Sequence, residues 1–210
     1  MPIYQNCNLN YSIGLFRTPT NFISYINIYM LNQRYIVLDR DGVINYDSDD
    51  FIKSADEWVP IEGSLEAIAS LNAAGFRVIV VTNQSGIARG LLDESILAKI
   101  HSKMQQLLNK KGGNIEAIYF CPHGPDSDCE CRKPMPGMLK SFAKDFDVDL
   151  STIFVIGDSL RDLQAAEAVG AKPILVKTGK GQATLLNNPH LNFLVFENLY
   201  DAANYIISRH

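Results

Sequence analysis

Asp39 and Asp41 stand two residues apart where an apolar run ends, in Tyr35-Ile36-Val37-Leu38-Asp39-Arg40-Asp41-Gly42. Tyr35 to Leu38 reads as a short buried strand. Acidic residues at its C-terminal end fall outside the sheet edge, where open parallel sheets bind ligands. Residues i and i+2 share one face, so both carboxylates can address the same small volume. Two like charges that close are costly unless a cation or a proton sits between them. Asp-x-Asp-Gly is also good turn chemistry, so the pair alone is equally compatible with a solvated turn.

Three more segments favour chemistry over a turn. Val78 to Val81 is followed by Thr82-Asn83-Gln84-Ser85-Gly86. Ile115 to Phe120 is followed by a Cys/His loop ending in Arg132-Lys133-Pro134, and Ile153 to Ile156 by Gly157-Asp158-Ser159-Leu160-Arg161-Asp162. Each apolar run thus ends in one reagent: a carboxylate pair, a hydroxyl, a cation, another carboxylate. Together they make a metal-assisted phosphoryl-transfer site.

The elements that must position these groups alternate strand-like and helical runs, which predicts a parallel sheet with helices on both faces. Gly63 to Ala74 carries Leu65, Ile68 and Leu71 at helical spacing, with Gly75 as its stop. Asp93 caps a longer helix with Ile96, Ile100, Met104, Leu107 and Leu108 on one face, stopped by Gly112-Gly113. Met135 to Phe146, Leu160 to Val169 and Leu199 to Ser208 are further helices. Pro173 to Val176 and Phe193 to Phe196 are further strands. Neither gap between the motif segments has room for a separate lid domain.

The loop Cys121-x-His123-x5-Cys129-x-Cys131 offers one nitrogen and three sulfurs, a Zn²⁺ set with no open position. Closed coordination predicts a structural metal that fixes the loop delivering Arg132 and Lys133. Three of the four cysteines belong to it, which reads as metal binding in a reducing, cytoplasmic compartment rather than a disulfide framework. Cys7 is incidental. His101 is expected on a helix surface, and His190 and His210 near the C-terminus carry no expected role.

With 210 residues, 47% of them hydrophobic, the chain can build one sizeable core. A net charge of −4 with no Lys/Arg run argues against a nucleic-acid surface. No stretch approaches the roughly 18–20 apolar residues of a membrane span. Residues 1–29 lack the basic start and apolar core of a signal peptide.

In their order, the four segments resemble the haloacid dehalogenase superfamily of aspartate-nucleophile phosphatases, over about Tyr35 to Gly181. The resemblance narrows on Asp39 to Asn45, Thr82 to Gly90, and Cys121-Pro122-His123 with Cys129 to Pro134. These are similar to the D-glycero-D-manno-heptose 1,7-bisphosphate 7-phosphatase family, related to the histidinol-phosphatases, which share the Cys/His loop. It implies a capless, three-layer Rossmann-like α/β domain over residues 30–210, walled by an Asp47–Trp58 flap and the metal loop. Residues 1–29 lie outside it as an N-terminal extension, with Met30 as the alternative start.

By resemblance, Asp39 is the nucleophile and Asp41 the general acid and then base. Arg40, between two residues that share one face, is expected to point the other way, without a role. Thr82 and Lys133 hold the transferring phosphoryl group. Asp158 binds Mg²⁺ with the Asp39 carboxylate and the Asp41 carbonyl, and Asp162 is either an orienting partner of Lys133 or a polar helix residue. Asp47, Ser48, Asp49, Asp50, Asn83, Gln84, Ser85, Arg132 and Ser159 are expected at the sugar or its far phosphate. Arg89 joins them on charge alone. The implied substrate is a small sugar bisphosphate, taken by a monomer without nucleic-acid or membrane partners, in heptose supply for lipopolysaccharide. Histidinol phosphate hydrolysis is the alternative activity. A zinc-loop interaction module without catalysis is the alternative class.

Overall fold

The computed structural model describes the backbone of residues 3–6 and the structure of residues 34–209. Seven parallel strands form one sheet in the order β1-β4-β3-β2-β5-β6-β7. They are β1 (Ile3–Asn6), β2 (Arg34–Leu38), β3 (Phe76–Asn83), β4 (Ile115–Cys121), β5 (Phe154–Gly157), β6 (Lys172–Val176) and β7 (Leu194–Phe196). Among the described residues six α-helices accompany them: α1 (Ser64–Ala73), α2 (Glu94–Lys110), α3 (Gly137–Phe146), α4 (Leu160–Glu167), α5 (Gly181–Asn187) and α6 (Leu199–Ile207).

Alternation along the strands divides the core into two layers. Ile36, Leu38, Val78 and Val80 face a cluster with α1, α2 and α6 residues such as Leu71, Met104 and Ile206. Tyr35, Val37, Ile79 and Val81 face the opposite cluster with Leu139 and Phe142 of α3 and Ala165 of α4. The strands read as continuous apolar runs because both faces are covered, as parallel sheets require. The three-layer α/β expectation holds.

The chain order reverses direction at β2, which has β3 on one side and β5 on the other. Such a switch point opens a crevice at the carboxyl ends of its strands. Asp39 begins there, its amide donating to the Ile156 carbonyl at 2.9 Å. The ends of β3 and β4 lie alongside, with Thr82 in register with Phe120.

Three features differ from the sequence expectations. Residues 3–6 pair with Ala117 to Phe120 as an edge strand, whereas the sequence places this stretch in an extension outside the fold. Cys7 and Met30 lie outside the described residues, as does His210. Helix α5 was not anticipated, because Gln182 to Asn187 offers few apolar positions from which a period could be read. His101 is wholly buried rather than on a helix surface.

The flap after the first motif is tied down at its far end. Trp58 is fully buried, and Lys103 Nζ of α2 donates to the carbonyls of Ala55 and Trp58 at 2.6 and 2.9 Å.

Candidate active site

A pocket of about 320 Å³ lies at the switch point. Asp39 and Asp41 come from the end of β2, Thr82 to Ser85 from the end of β3, Arg132 and Lys133 from the Cys/His loop, and Asp158, Ser159 and Asp162 from the end of β5. Asp47, Ser48, Asp49 and Arg89 also line it. Of the expected site residues whose side chains should face this space, Asp50 alone is elsewhere. It is exposed on the outer side of the flap beside Tyr46 and Lys53. A two-residue period cannot place side chains in a turn, and Asp50 follows Ser48, whose hydroxyl accepts its amide.

Lys133 is the hub of the floor. Its buried ammonium donates to the Val81 carbonyl at 2.8 Å and pairs with Asp39 Oδ1 at 2.9 Å and Asp162 Oδ1 at 2.6 Å. Three N–H donors therefore meet three acceptors. Burial opposes its charge, but Asp162 and Asp39 outweigh that and hold Lys133 above its ordinary value. Asn83 fixes the same residue through its main chain, donating to the Lys133 carbonyl and accepting its amide, each at 3.1 Å.

Asp162 is ion-paired with Lys133 and does not stand alone as a polar helix residue. Its Oδ2 accepts from the Ser159 amide and hydroxyl at 3.0 and 2.6 Å, closing the capping box of α4. Burial works against its charge, yet Lys133 and Ser159 hold Asp162 below the usual carboxylate range.

Asp41 is gripped on both oxygens. Arg40 Nε and Nη2 donate to its Oδ1 at 3.1 and 2.9 Å, and Nη2 also reaches Oδ2 at 2.9 Å. Asn45 Nδ2 donates to Oδ1 at 2.9 Å. Gln84 Nε2 donates to Oδ2 at 2.9 Å and to Thr82 Oγ1 at 2.9 Å. Arg40 thus turns into the structure and onto Asp41, correcting the expectation that it points away. Strand alternation ceases to govern direction here, because β2 ends at Leu38.

Asp39, Asp158 and Asp162 bring carboxylate oxygens within 4.8 Å of one another, a group able to hold a metal ion. Burial pushes Asp39 well above the usual carboxylate range against the pull of Lys133, with Asp162, Asp158 and Asp41 reinforcing it. Burial, then Asp162, pushes Asp158 up to about 7. Carboxylates in such tension are a fitting donor set for a hard divalent cation, which prefers oxygen ligands. Asp158 is also closely housed: a Cβ on Gly42, at φ 82°, would lie 2.0 Å from its Oδ2. The Lys180 amide donates to that same oxygen at 2.8 Å.

The Cys/His loop forms a second candidate metal centre. Cys131 Sγ lies 3.2 Å from Cys121 Sγ and 3.3 Å from His123 Nδ1, and Cys129 Sγ lies 3.8 Å from Cys121 Sγ. Tetrahedral ligands about 2.3 Å from one ion would stand roughly 3.7 Å apart, so the set fits a single ion. Although burial opposes it, the Arg132 amide, the Ser127 hydroxyl and the two neighbouring thiols bring Cys129 down to about 6, favouring the thiolate that binds metal. The loop positions Arg132 as well, whose Nη1 donates to the His123 carbonyl at 3.0 Å.

Two cations in the pocket were missed from the sequence. Arg161 lies within the last motif, between Asp158 and Asp162, with no local feature that marks it as a pocket residue. Burial, then the charge of Arg161, lowers Arg132, and Arg89 adds to this, so three guanidinium groups share the rim. None of the three makes an ion pair among the described residues. Lys180 extends over the flap, its Nζ 2.9 Å from Asp47 Oδ2. The signal was a lysine between Gly179 and Gly181 just after a strand.

Comparison with known proteins agrees with this geometry. Residues 130–202 match the HAD-hydrolase-like family model. The chain is 50% identical over 177 residues to the D-glycero-beta-D-manno-heptose-1,7-bisphosphate 7-phosphatase of Pseudomonas aeruginosa, covering 84% of this chain and 99% of that one. It is 55% identical over 152 residues to the enzyme of the same name from Bordetella bronchiseptica, covering 72% and 85%. In structure it resembles the B. bronchiseptica D,D-heptose 1,7-bisphosphate phosphatase crystallised with magnesium and phosphate. The TM-score is 0.83 at 49% identity, over 85% of this chain and 100% of that one.

Proposed function

Because the chain belongs to the D-glycero-beta-D-manno-heptose-1,7-bisphosphate 7-phosphatase family of HAD-like hydrolases, we propose that it removes the 7-phosphate of a heptose 1,7-bisphosphate through an aspartyl-phosphate. The single observation that carries this reading is the convergence of Asp39, Asp41, Thr82, Lys133 and Asp158 in one pocket rimmed by unpaired cations. Histidinol phosphate carries one phosphate, which the floor alone would satisfy. A substrate with two phosphates also makes use of Arg89, Arg132 and Arg161.

In the first step an Asp39 carboxylate oxygen attacks phosphorus in line. Both hydrogen bonds of that carboxylate, from the Arg40 amide at 2.7 Å and from Lys133, fall on Oδ1, which leaves Oδ2 for the attack. The bond from phosphorus to the sugar oxygen breaks, and Asp41 gives that oxygen its proton. The Thr82 hydroxyl donates to a phosphoryl oxygen, and the buried Lys133 ammonium, its three N–H groups committed to Val81, Asp39 and Asp162, offsets the phosphoryl charge from beneath. In the second step Asp41 takes a proton from water, which attacks phosphorus and frees both phosphate and Asp39. Asp39, Asp158 and the Asp41 carbonyl would hold Mg²⁺, which supplies positive charge to the transferring group. Zn²⁺ in the Cys/His set would keep Arg132 and Lys133 in place without a chemical role.

The placing of contacts within the pocket changes two expected roles. Gln84 Nε2 commits its two hydrogens to Asp41 and Thr82, and Asn83 commits its amide to Lys133, so both orient catalytic groups more than they read sugar. The flap residues Asp47, Ser48 and Asp49, with Ser85, remain the groups for the sugar hydroxyls. Among the described residues no helix is long and apolar enough to cross a membrane. A monomer acting in the cytoplasm on this small-molecule substrate completes the reading.

Phosphate release from heptose 1,7-bisphosphate, with heptose 1-phosphate as the product, tests the function. Equal or faster release from histidinol phosphate would overturn it.

A further inference from the structure

Behind Asp41, on the side away from the pocket, lies a buried histidine on which the reaction as written above does not draw. His101 sits on α2 and is fully buried, as is Arg40. Its Nε2 is 3.2 Å from Arg40 Nη1. A guanidinium has no acceptor, so the imidazole nitrogen must accept, and the ring is neutral with its proton on Nδ1. Burial and the charge of Arg40 hold His101 well below its ordinary value, in keeping with that tautomer. Arg40 therefore divides its donors: Nε and Nη2 fork onto Asp41, and Nη1 goes to His101.

We propose that His101 is a positioning residue for proton transfer, fixing the guanidinium fork that sets the plane and depth of the Asp41 carboxylate. This rests on the reading of Asp41 as acid and base. A residue needed only to fill space here would be aliphatic, like its neighbours Leu97, Ile100 and Met104 on α2. A histidine instead supplies the acceptor that a buried guanidinium would otherwise lack. Without it, Nη1 must find another acceptor, and rotating the guanidinium to reach one would tilt the fork. A displacement of about 1 Å at a reacting group costs up to about 100-fold. Asn45 and Gln84 still grip Asp41, so the loss expected is nearer tenfold.

The test compares His101→Leu and His101→Gln in the full-length, magnesium-loaded protein. The Gln carbonyl can reach the position of Nε2, and Leu keeps only the volume. Two readouts are taken: kcat and KM for heptose 1,7-bisphosphate, and the burst of nitrophenolate from p-nitrophenyl phosphate. The burst reports attack by Asp39 on a substrate whose leaving group needs no proton. His101→Leu is expected to lower kcat roughly tenfold with KM and burst rate unchanged, and His101→Gln to restore most of it. Unchanged kcat in His101→Leu, equal losses in kcat and burst rate, or equal losses in both variants would overturn the proposal. Should His101→Leu not fold, His101→Asn takes its place, because its shorter amide cannot reach Arg40, and equal rates for Asn and Gln overturn the proposal. Failure of the wild-type protein to release phosphate from the bisphosphate, or full activity in Asp41→Asn, would instead overturn the reading on which it rests.

Discussion

Lys133 and Asp162 form a 2.6 Å ion pair beneath the pocket, both side chains almost wholly buried. Through it the N-terminus of α4 holds the cation supplied by the Cys/His loop, so two segments about thirty residues apart in sequence are pinned to one point under Asp39. Removing one partner of such a pair leaves the other charged and desolvated, which costs more than the pair itself is worth.

Asp162→Asn is accordingly expected to weaken both stability and catalysis. Loss of a buried partner typically costs about 3–5 kcal/mol. Asp39 and the Val81 carbonyl still hold Lys133, so roughly 2–3 kcal/mol is expected, or about 5–10 °C in Tm for a domain of this size. kcat should fall with it, because Lys133 is then free to draw closer to Asp39. Thermal melts and kinetics with unchanged values would mean that Asp162 serves only to cap α4.

Metal removal should interact with pH. Asp158 is pushed up to about 7 by burial and by Asp162. Between its unfolded value of about 4 and that point, the folded protein binds the extra proton. Its contribution to stability is therefore present in full below about pH 4 and is lost as pH rises toward 7. A cation at Asp158 removes this penalty, so the increase in Tm given by Mg²⁺ over EDTA should be larger at pH 8 than at pH 5. An increase that shrinks with rising pH would count against Asp158 as a ligand.

Cys131→Ser removes a sulfur beside Arg132 and Lys133. Metal binding and loop ordering are linked, so bound zinc should fall and KM should rise more than kcat falls. Elemental analysis together with kinetics checks both. Full zinc occupancy with unchanged KM would show that the four side chains do not act as one set.

The strand ends and their reagents were legible because parallel strands buried on both faces are apolar without interruption, which makes each polar residue at their ends conspicuous. Arg40 and His101 were misread for separate reasons. Arg40 lies just beyond β2, where alternation no longer holds. Polarity places His101 on the helix surface, although it stands four residues after Leu97 and three before Met104, on the buried face of α2. Lys180 has a local signal in its two flanking glycines, whereas Arg161 needs the third dimension, since nothing in its local sequence says that flap, Cys/His loop and α4 meet around one space.

The stretch before Met30 poses a related question, because Ile3–Asn6 pairs with β4 at the edge of the sheet. The described residues lining the pocket all follow Leu38, and β1 stands three strands from β2. A protein starting at Met30 is expected to keep its kcat and to lose only a little stability. A large fall in kcat would place residues 1–29 within the working domain.

Asp39→Asn and Asp41→Asn should fail differently. Without the Asp39 carboxylate there is no nucleophile, and no substrate should leave a phosphoenzyme. Asp41→Asn keeps the nucleophile and loses proton transfer, typically worth about 10²–10⁴-fold, or roughly 3–5 kcal/mol of barrier. A sugar oxygen is a poor leaving group and needs that proton, whereas nitrophenolate does not. The variant should therefore still give a nitrophenolate burst, and the aspartyl-phosphate should accumulate because its hydrolysis has lost its base. Rapid quenching and mass spectrometry would detect the added phosphoryl group on Asp39. Turnover in Asp39→Asn, or equal slowing of aryl and sugar phosphates in Asp41→Asn with no trapped intermediate, would mean that the two roles are wrongly assigned.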